Sequence, residues 1–435
     1  MDTRLTAALA SRRDRSMLRS LDPAPSSSSS PSKPLVDFSS NDYLSFSHHP
    51  TLRSNLLRTL TSPSFNPYGP PSSRLLDGNT PSHLSLESRL SAFFRAPAAL
   101  LFNSGFDANA GLWASLPGPE DYIVFDELVH ASMHDGMRAS RVPKERRRAF
   151  GHNDLQALER VLAEVVERDE AAKRGEKSVW IGVESLYSMD GDLAPLREMV
   201  ELVERVLPAG NGHLVVDEAH SSGLYGPSGR GLVCALGLQE RITVRVHTFG
   251  KAMACSGAAV LTSPLLRSYL INYARPLIYS TTMTHMSVAA ISESLGMLER
   301  GEGAEPAARV HRLARLLITS LASSLPPNSP VSLPPHARLI ASSLSPSSSP
   351  SEPPPPPPTS PILPLLTPSP RPLAAHLLSL GYLCRPITHP TVPRGEERVR
   401  VCLHAGNTEG EVRGLVEGVV EWAKTEGERG VRAKL

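Results

Sequence analysis

One lysine stands where its amine can act as a nucleophile. Lys251 lies in Thr248-Phe249-Gly250-Lys251, directly after an apolar, β-branched run, and Gly250 allows a tight turn that delivers the side chain past a strand end. An amine desolvated there can form an imine with a carbonyl compound. Two plainer readings compete. The phosphate loop GxxxxGK[ST] requires Gly at 245 and Ser or Thr at 252, where the chain has Arg245 and Ala252, so that reading fails. A solvated surface lysine is the default for any isolated Lys.

What raises Lys251 above that default is Asp217-Glu218-Ala219-His220 at the end of the preceding apolar run. A buried carboxylate at Asp217 suits the ring nitrogen of pyridoxal 5'-phosphate, holding it protonated so that the ring accepts electrons from a carbanion. His220, and Ser188 in Ser188-Met189-Asp190-Gly191, are placed to hydrogen-bond the ring hydroxyl. Asp-Glu-Ala-His also occurs in nucleotide-driven helicases, but those need the phosphate loop already excluded.

The cofactor phosphate needs donors. Asn103-Ser104-Gly105-Phe106 opens a helical stretch whose unpaired amides and positive end suit a dianion. Thr248 adds a hydroxyl, and Ser280 and Thr281 form a further hydroxyl pair. His130 follows Asp126 closely and can stack on the pyridine face; its plain alternative is a helix cap. His130 and His134 have i,i+4 spacing, but no HExxH pattern accompanies them and no metal is expected.

Strand ends must present these residues together. Tyr122–Phe125 is followed by Asp126, Val179–Val183 by Glu184, His213–Val216 by Asp217 and Ile242–His247 by Thr248. Such runs alternate with longer amphipathic segments, which predicts an α/β fold with a mainly parallel sheet. Ligands bind beyond the carboxyl ends of such strands, so the four polar residues are expected to share one crevice.

The 435 residues suffice for two or three domains, and a net charge of +2 favours a small-molecule substrate over nucleic acid or membrane. Four dispersed cysteines without a CxxC pair argue against zinc or disulfides and for a reducing compartment. No apolar run approaches the roughly 20 residues of a membrane span. Arg4 to Arg19 is Arg-rich, but Asp2 and Asp14 interrupt it, so an amphipathic helix is preferred to an organelle presequence. Pro23 to Pro34, and Ser343 to Pro358 with its six-proline run, read as linkers. There is no internal repeat. Ala433-Lys434-Leu435 differs from the peroxisomal Ser-Lys-Leu by one small residue, against the alternative of a frayed helix end.

The chain resembles the α-oxoamine synthases. The matching segments are Asp37–Leu44 with His48-His49-Pro50, Leu100–Phe106 with Asn109, Ser188–Asp192, Val215–His220, Thr248–Lys251, Ser256–Ala259, Ile278–Thr281 and Pro390–Pro393. Together they run through almost the whole chain. The resemblance implies the type I pyridoxal-phosphate (aspartate aminotransferase-like) fold. An N-terminal segment (1–60), a large cofactor domain (61–285) and a small α+β domain (286–435) are expected, in a homodimer with sites at the subunit interface.

The resemblance also implies a role for each matching residue, and the following are expectations drawn from it. Lys251 binds the cofactor covalently and later removes the Cα proton. Asp217 pairs with the ring nitrogen, His220 and Ser188 lie near the ring oxygen, and His130 covers the ring. The Gly105 and Phe106 amides and Thr248 hold the phosphate, with Ser280 or Thr281 reaching in from the partner. Arg19, Asn41 and Thr391 lie near substrate. An arginine for its carboxylate comes from Arg398 or Arg400, which share a strand face, and Arg400 is favoured.

The implied reaction is the decarboxylative condensation of an amino acid with an acyl thioester. L-alanine and pimeloyl-CoA are favoured, giving 8-amino-7-oxononanoate in biotin synthesis. The alternatives are a glycine-using sister, meaning 5-aminolevulinate synthase or 2-amino-3-ketobutyrate ligase, or a synthase of a specialised amino ketone. Serine palmitoyltransferase is disfavoured by the missing membrane segment. A non-catalytic partner subunit would lack the lysine, and Lys251 argues against it. Two departures bear on the substrate end of the pocket: Pro70-Pro71 where many relatives have glycines, and Thr388 where the bacterial biotin enzyme has arginine.

Overall fold

The apolar runs become seven strands of one sheet in the computed structural model, which describes residues 1–15, 17–18, 21, 35–343 and 359–432. The strands are β1 (Ala98–Phe102), β2 (Tyr122–Asp126), β3 (Arg147–Phe150), β4 (Val179–Glu184), β5 (Gly212–Asp217), β6 (Val244–Thr248) and β7 (Ala258–Thr262). Their order is β1-β7-β6-β5-β4-β2-β3. Only β7 runs against its neighbours. The carboxyl ends of the other six therefore emerge at one edge, where ligands bind in such folds. Every residue of β4, β6 and β7 is buried, as expected for strands covered on both faces.

Helices cover the sheet with apolar stripes. The helix Leu155–Arg168 buries Leu158, Leu162 and Val165, and Leu196–Val206 buries Leu196, Met199, Val200 and Val203, both at helical spacing. Earlier in the chain lie α1 (Asp2–Asp14), α2 (Pro50–Leu60), α3 (Pro81–Phe93), α4 (Gly105–Ser115) and α5 (Ala131–Ala139). The buried face of α4, with Ala108, Leu112 and Trp113, packs on α5.

Two compact units divide the chain. The larger comprises 41–188 and 192–309, and the smaller 1–40, 189–191 and 310–435. The boundaries differ from the expected 60/61 and 285/286, because α2 and the helix His285–Glu299 pack on each other inside the larger unit. The smaller unit holds an antiparallel sheet of Ile362–Leu366, Arg385–Ile387 and Arg398–Cys402, with the last strand central. There Arg398 donates to Asp190 Oδ1 at 2.5 Å and to the Met189 carbonyl at 3.0 Å.

Some expectations meet a different structure. The helix α1 forms but buries none of its residues, and Leu5 and Leu9 are exposed, so it lacks the apolar stripe of an amphipathic helix. Gly250 has no left-handed φ, and a Cβ there would meet only the Cys255 carbonyl at ordinary contact distance. The left-handed residue of the turn after Lys251 is Ala254, at φ 53°. Both linkers, apart from Ser343, and Ala433–Leu435 lie outside the described residues, as does Arg19. Among the described residues no helix is long and apolar enough to cross a membrane, and no cluster of His, Cys, Asp and Glu could hold a metal.

Candidate active site

A cavity of about 340 Å³ opens at the carboxyl edge of the large sheet. Strand ends and helix starts supply its walls. Glu184 ends β4, Asp217 ends β5 and Thr248 ends β6. Ser104, Gly105, Phe106 and Asn109 come from the start of α4, and His130 and Ser132 from the start of α5. Lys251, His220, Asn41, Asn103 and Cys255 also line it.

The amine of Lys251 points back along the strand end, its Nζ 3.4 Å from Thr248 Oγ1. Asp217 is 5% exposed and oriented by two donors: the Asn109 side chain bonds Oδ2 at 2.7 Å and the Ala219 amide bonds Oδ1 at 2.9 Å. The same Asn109 nitrogen lies 3.1 Å from Ser132 Oγ, which lies 2.8 Å from His130 Nδ1. His130 also caps α5, its Nδ1 accepting from the Ser132 amide at 3.2 Å. The capping and the ring-facing readings of this residue are thus compatible. Burial and the Lys251 charge lower its pKa against the pull of Asp217, so the imidazole is neutral at pH 7. Across the cavity the Tyr43 hydroxyl meets His220 Nδ1 at 2.7 Å and donates to Asn41 Oδ1 at 3.2 Å, which fixes the imidazole plane.

Helix α4 begins as the sequence suggests. Ser104 is its N-cap, taking the Asp107 amide at 3.0 Å. The Gly105 and Phe106 amides have no acceptor within the helix, and both residues line the cavity. Gly105 has a steric reason as well: a Cβ there would run into the Thr248 methyl group.

Glu184 is in register with Asp217 on the neighbouring strand. Burial and the nearby Asp217 charge push its pKa well above the carboxylate range, although Lys251 opposes them. Cys255 lines the wall with its thiol pushed up to about 12 by burial.

Other expected site residues lie elsewhere. Asp126 ends β2 but turns from the cavity to bond His152 and the Leu128 and Asn153 amides. Ser188 is off the wall, because its segment folds back on itself, with the Tyr187 amide bonding the Asp192 carbonyl at 3.1 Å. Ser280 and Thr281 line a separate small cleft with Arg74, His83 and Asn103. Thr391 and Arg400 belong to the smaller unit, Thr391 exposed and Arg400 buried. Asn109 and Ser132 were not singled out for roles. Asn109 stands four residues beyond Gly105, one turn along the same helix face, and that spacing was the available signal.

The donor set fits pyridoxal phosphate. A lysine amine, an oriented buried carboxylate and the open amides of a helix start converge on one cavity, and Asn109 Oδ1 is buried there without a partner. Lys251 would hold the aldehyde carbon, Asp217 the ring nitrogen, and α4 with Thr248 the phosphate.

Comparison with known proteins agrees. The family model "Aminotransferase class I and II" matches residues 33–419. An 8-amino-7-oxononanoate synthase of Emericella nidulans is 44% identical over 419 residues, covering 96% of this chain and 95% of the relative. An aminoacyl transferase sphA of Aspergillus fumigatus is 35% identical over 391 residues, covering 89% of this chain and 81% of the relative. Among solved structures, a serine palmitoyltransferase of Sphingomonas wittichii superposes with a TM-score of 0.75 at 22% identity, covering 91% of this chain and 88% of the other. The 8-amino-7-oxononanoate synthase of Francisella tularensis gives 0.66 at 23%, covering 90% and 98%; at these identities the likeness is one of fold. The chain belongs to the aminotransferase class I and II family, within the α-oxoamine synthases, which are pyridoxal-phosphate enzymes of the type I fold.

Proposed function

We propose that the protein condenses L-alanine with pimeloyl-CoA, releasing carbon dioxide and free thiol and forming 8-amino-7-oxononanoate. The observation that carries this reading is the convergence of Lys251, Asp217 and the start of α4 on one cavity, in a chain 44% identical along nearly its whole length to an 8-amino-7-oxononanoate synthase. When bound, pyridoxal phosphate supplies an aldehyde for the amino group and a ring that takes up electrons released at Cα.

The chain's own residues do the rest. Asp217 keeps a proton on the ring nitrogen, and Asn109 and the Ala219 amide keep that carboxylate aimed. The amine of Lys251, freed by the substrate amine, takes the Cα proton and later returns one to the same carbon. Thr248 Oγ1 orients that amine. Neutral His130 presents a flat face without adding positive charge near the ring.

Homodimer formation is part of the proposal. Tyr68, Leu76, Leu265 and Tyr279 are all at least 70% exposed, and we assign them to the proposed subunit contact. Ser280 and Thr281 stand beside Tyr279, apart from their own protomer's cofactor cavity, which suits a reach into a partner's site. Arg400, buried on the central strand of the small sheet, is the proposed partner of the substrate carboxylate. Arg19, Asn41 and Thr391 complete the proposed substrate contacts.

The test is thiol release by purified protein loaded with pyridoxal phosphate, with L-alanine, glycine or L-serine against pimeloyl-CoA and palmitoyl-CoA, and mass spectrometry of the product. Alanine with pimeloyl-CoA should be fastest by at least about tenfold. Turnover of glycine alone would move the protein to the sister enzymes. The fold likeness to a serine palmitoyltransferase makes the L-serine and palmitoyl-CoA arms informative, and turnover confined to them would overturn the alanine reading.

A further inference from the structure

Outside the cavity one imidazole is held by two carboxylates. His152 Nδ1 lies 3.0 Å from Asp126 Oδ1, and its Nε2 lies 2.9 Å from Asp192 Oδ2. Asp126 is fully buried, and the imidazole is 19% exposed. A neutral imidazole has one N–H and one lone pair, so it would serve one carboxylate and turn its lone pair on the other. Serving both requires the imidazolium. Burial opposes that charge, but the bonds to Asp126 and Asp192 prevail and raise the pKa to about 10. Three further residues surround His152. Glu127 accepts the His152 amide at 3.1 Å, and Tyr187 meets the ring edge-on at 4.4 Å between centroids. Asn153 bonds Asp126 through its amide at 2.8 Å and Asp192 through its side chain at 2.9 Å.

From this cluster a ring contact and a hydrogen bond lead to the cavity. The Tyr187 ring meets His152 edge-on, and its hydroxyl accepts from the Glu184 amide at 3.3 Å. Glu184 stands in the cavity wall beside Asp217. On the other side, Asp192 closes the loop that begins at Ser185: its carbonyl takes the Tyr187 amide, Leu186 bridges Leu193, and the Ala194 amide bonds the Ser185 carbonyl at 3.1 Å.

We infer that His152 is a positioning residue: by bridging Asp126 and Asp192 it pins the Ser185–Ala194 loop to the end of β2 and so holds Glu184 in the wall of the cofactor cavity. The kinetic part of this inference rests on the condensation reading above; the bridge itself does not.

The test compares wild type, His152→Gln and Asp192→Asn. In cofactor-free protein, thermal unfolding is followed from pH 6 to 11. The pKa is raised in the folded state, so the bridge's contribution is complete below the unfolded value of about 6.5 and is lost as pH rises through about 10. His152→Gln should remove that part of the pH dependence. Asp192→Asn, which leaves one carboxylate, should move the loss down by about one pH unit or more.

In the loaded enzyme, His152→Gln should lower kcat about tenfold or more while both KM values stay within about threefold. Identical pH dependence of unfolding in all three proteins overturns the bridge. A shifted pH dependence with unchanged kcat overturns the positioning role. If His152→Gln does not fold, Asp192→Asn decides both points. Wild type without condensation activity, but with the expected pH dependence, supports the bridge and sinks the functional reading instead.

Discussion

Gly105→Ala places a methyl group where the Thr248 methyl already sits. Thr248 lies at the end of a fully buried strand and Gly105 at the first turn of α4, so neither can retreat without moving its element. Overpacking of this kind costs about 1–3 kcal/mol. The relief available is specific: Thr248→Ser removes that methyl while keeping the hydroxyl that lies 3.4 Å from Lys251 Nζ. Alone, Thr248→Ser should cost about 1 kcal/mol for one buried methyl. Independent effects would sum to about 2–4 kcal/mol, but the double variant has no clash and should cost about 1 kcal/mol, a coupling of about 1–3 kcal/mol.

Urea unfolding of the cofactor-free proteins measures that coupling. Absorbance titration with pyridoxal phosphate measures its consequence, since a displaced α4 no longer aims the Gly105 and Phe106 amides at the phosphate. Affinity should fall at least about tenfold in Gly105→Ala and recover in the double variant. Additive free energies, or a Gly105→Ala protein within about 0.5 kcal/mol of wild type and binding normally, would refute the proposed packing of the helix start on the strand end.

Lys251→Ala should abolish the cofactor adduct that borohydride fixes to the wild-type chain, read by intact mass, and lower turnover by a factor of about 10² or more. Asp217→Asn, close in volume but uncharged, should still bind cofactor yet lose at least about a hundredfold in turnover. Arg245 is 2% exposed and bonds the Phe94 carbonyl at 2.9 Å and the Arg95 carbonyl at 3.2 Å, beyond the C-terminal end of α3. Its replacement by Met should destabilise the protein by about 2–4 kcal/mol in urea, with turnover per folded molecule unchanged. Cys255 lines the cavity, but its thiol is pushed up to about 12, so iodoacetamide at pH 8 should label it far more slowly than a free thiol, as quantified by peptide mass spectrometry.

Much of this was legible in the residues because the signals were local. β-branched runs mark buried strands, and a polar residue following each run must emerge at the strand's carboxyl end. Asp217, Thr248 and Lys251 needed no more than that to be brought together. The cap at Ser104 and the open amides at Gly105 and Phe106 follow from the rules of a helix start.

Tertiary structure decided which strand-end groups face the cavity. Asp126 and Glu184 looked equivalent, yet His152 and Asn153, brought in after β3, draw Asp126 away, while Glu184 stays in register with Asp217. Ser188 leaves the wall because its loop closes on Asp192, and Ser280 and Thr281 line a second cleft. The turn after Lys251 takes its left-handed residue from Ala254 rather than a glycine. Nor could composition show that one nitrogen of Asn109 lies within bonding distance of both Asp217 and Ser132. The strand and helix signals depend on neighbours in sequence, so the chain alone determines them. Side-chain direction at an element's end depends on partners dozens of residues away, and only the folded packing settles which partner a buried carboxylate takes.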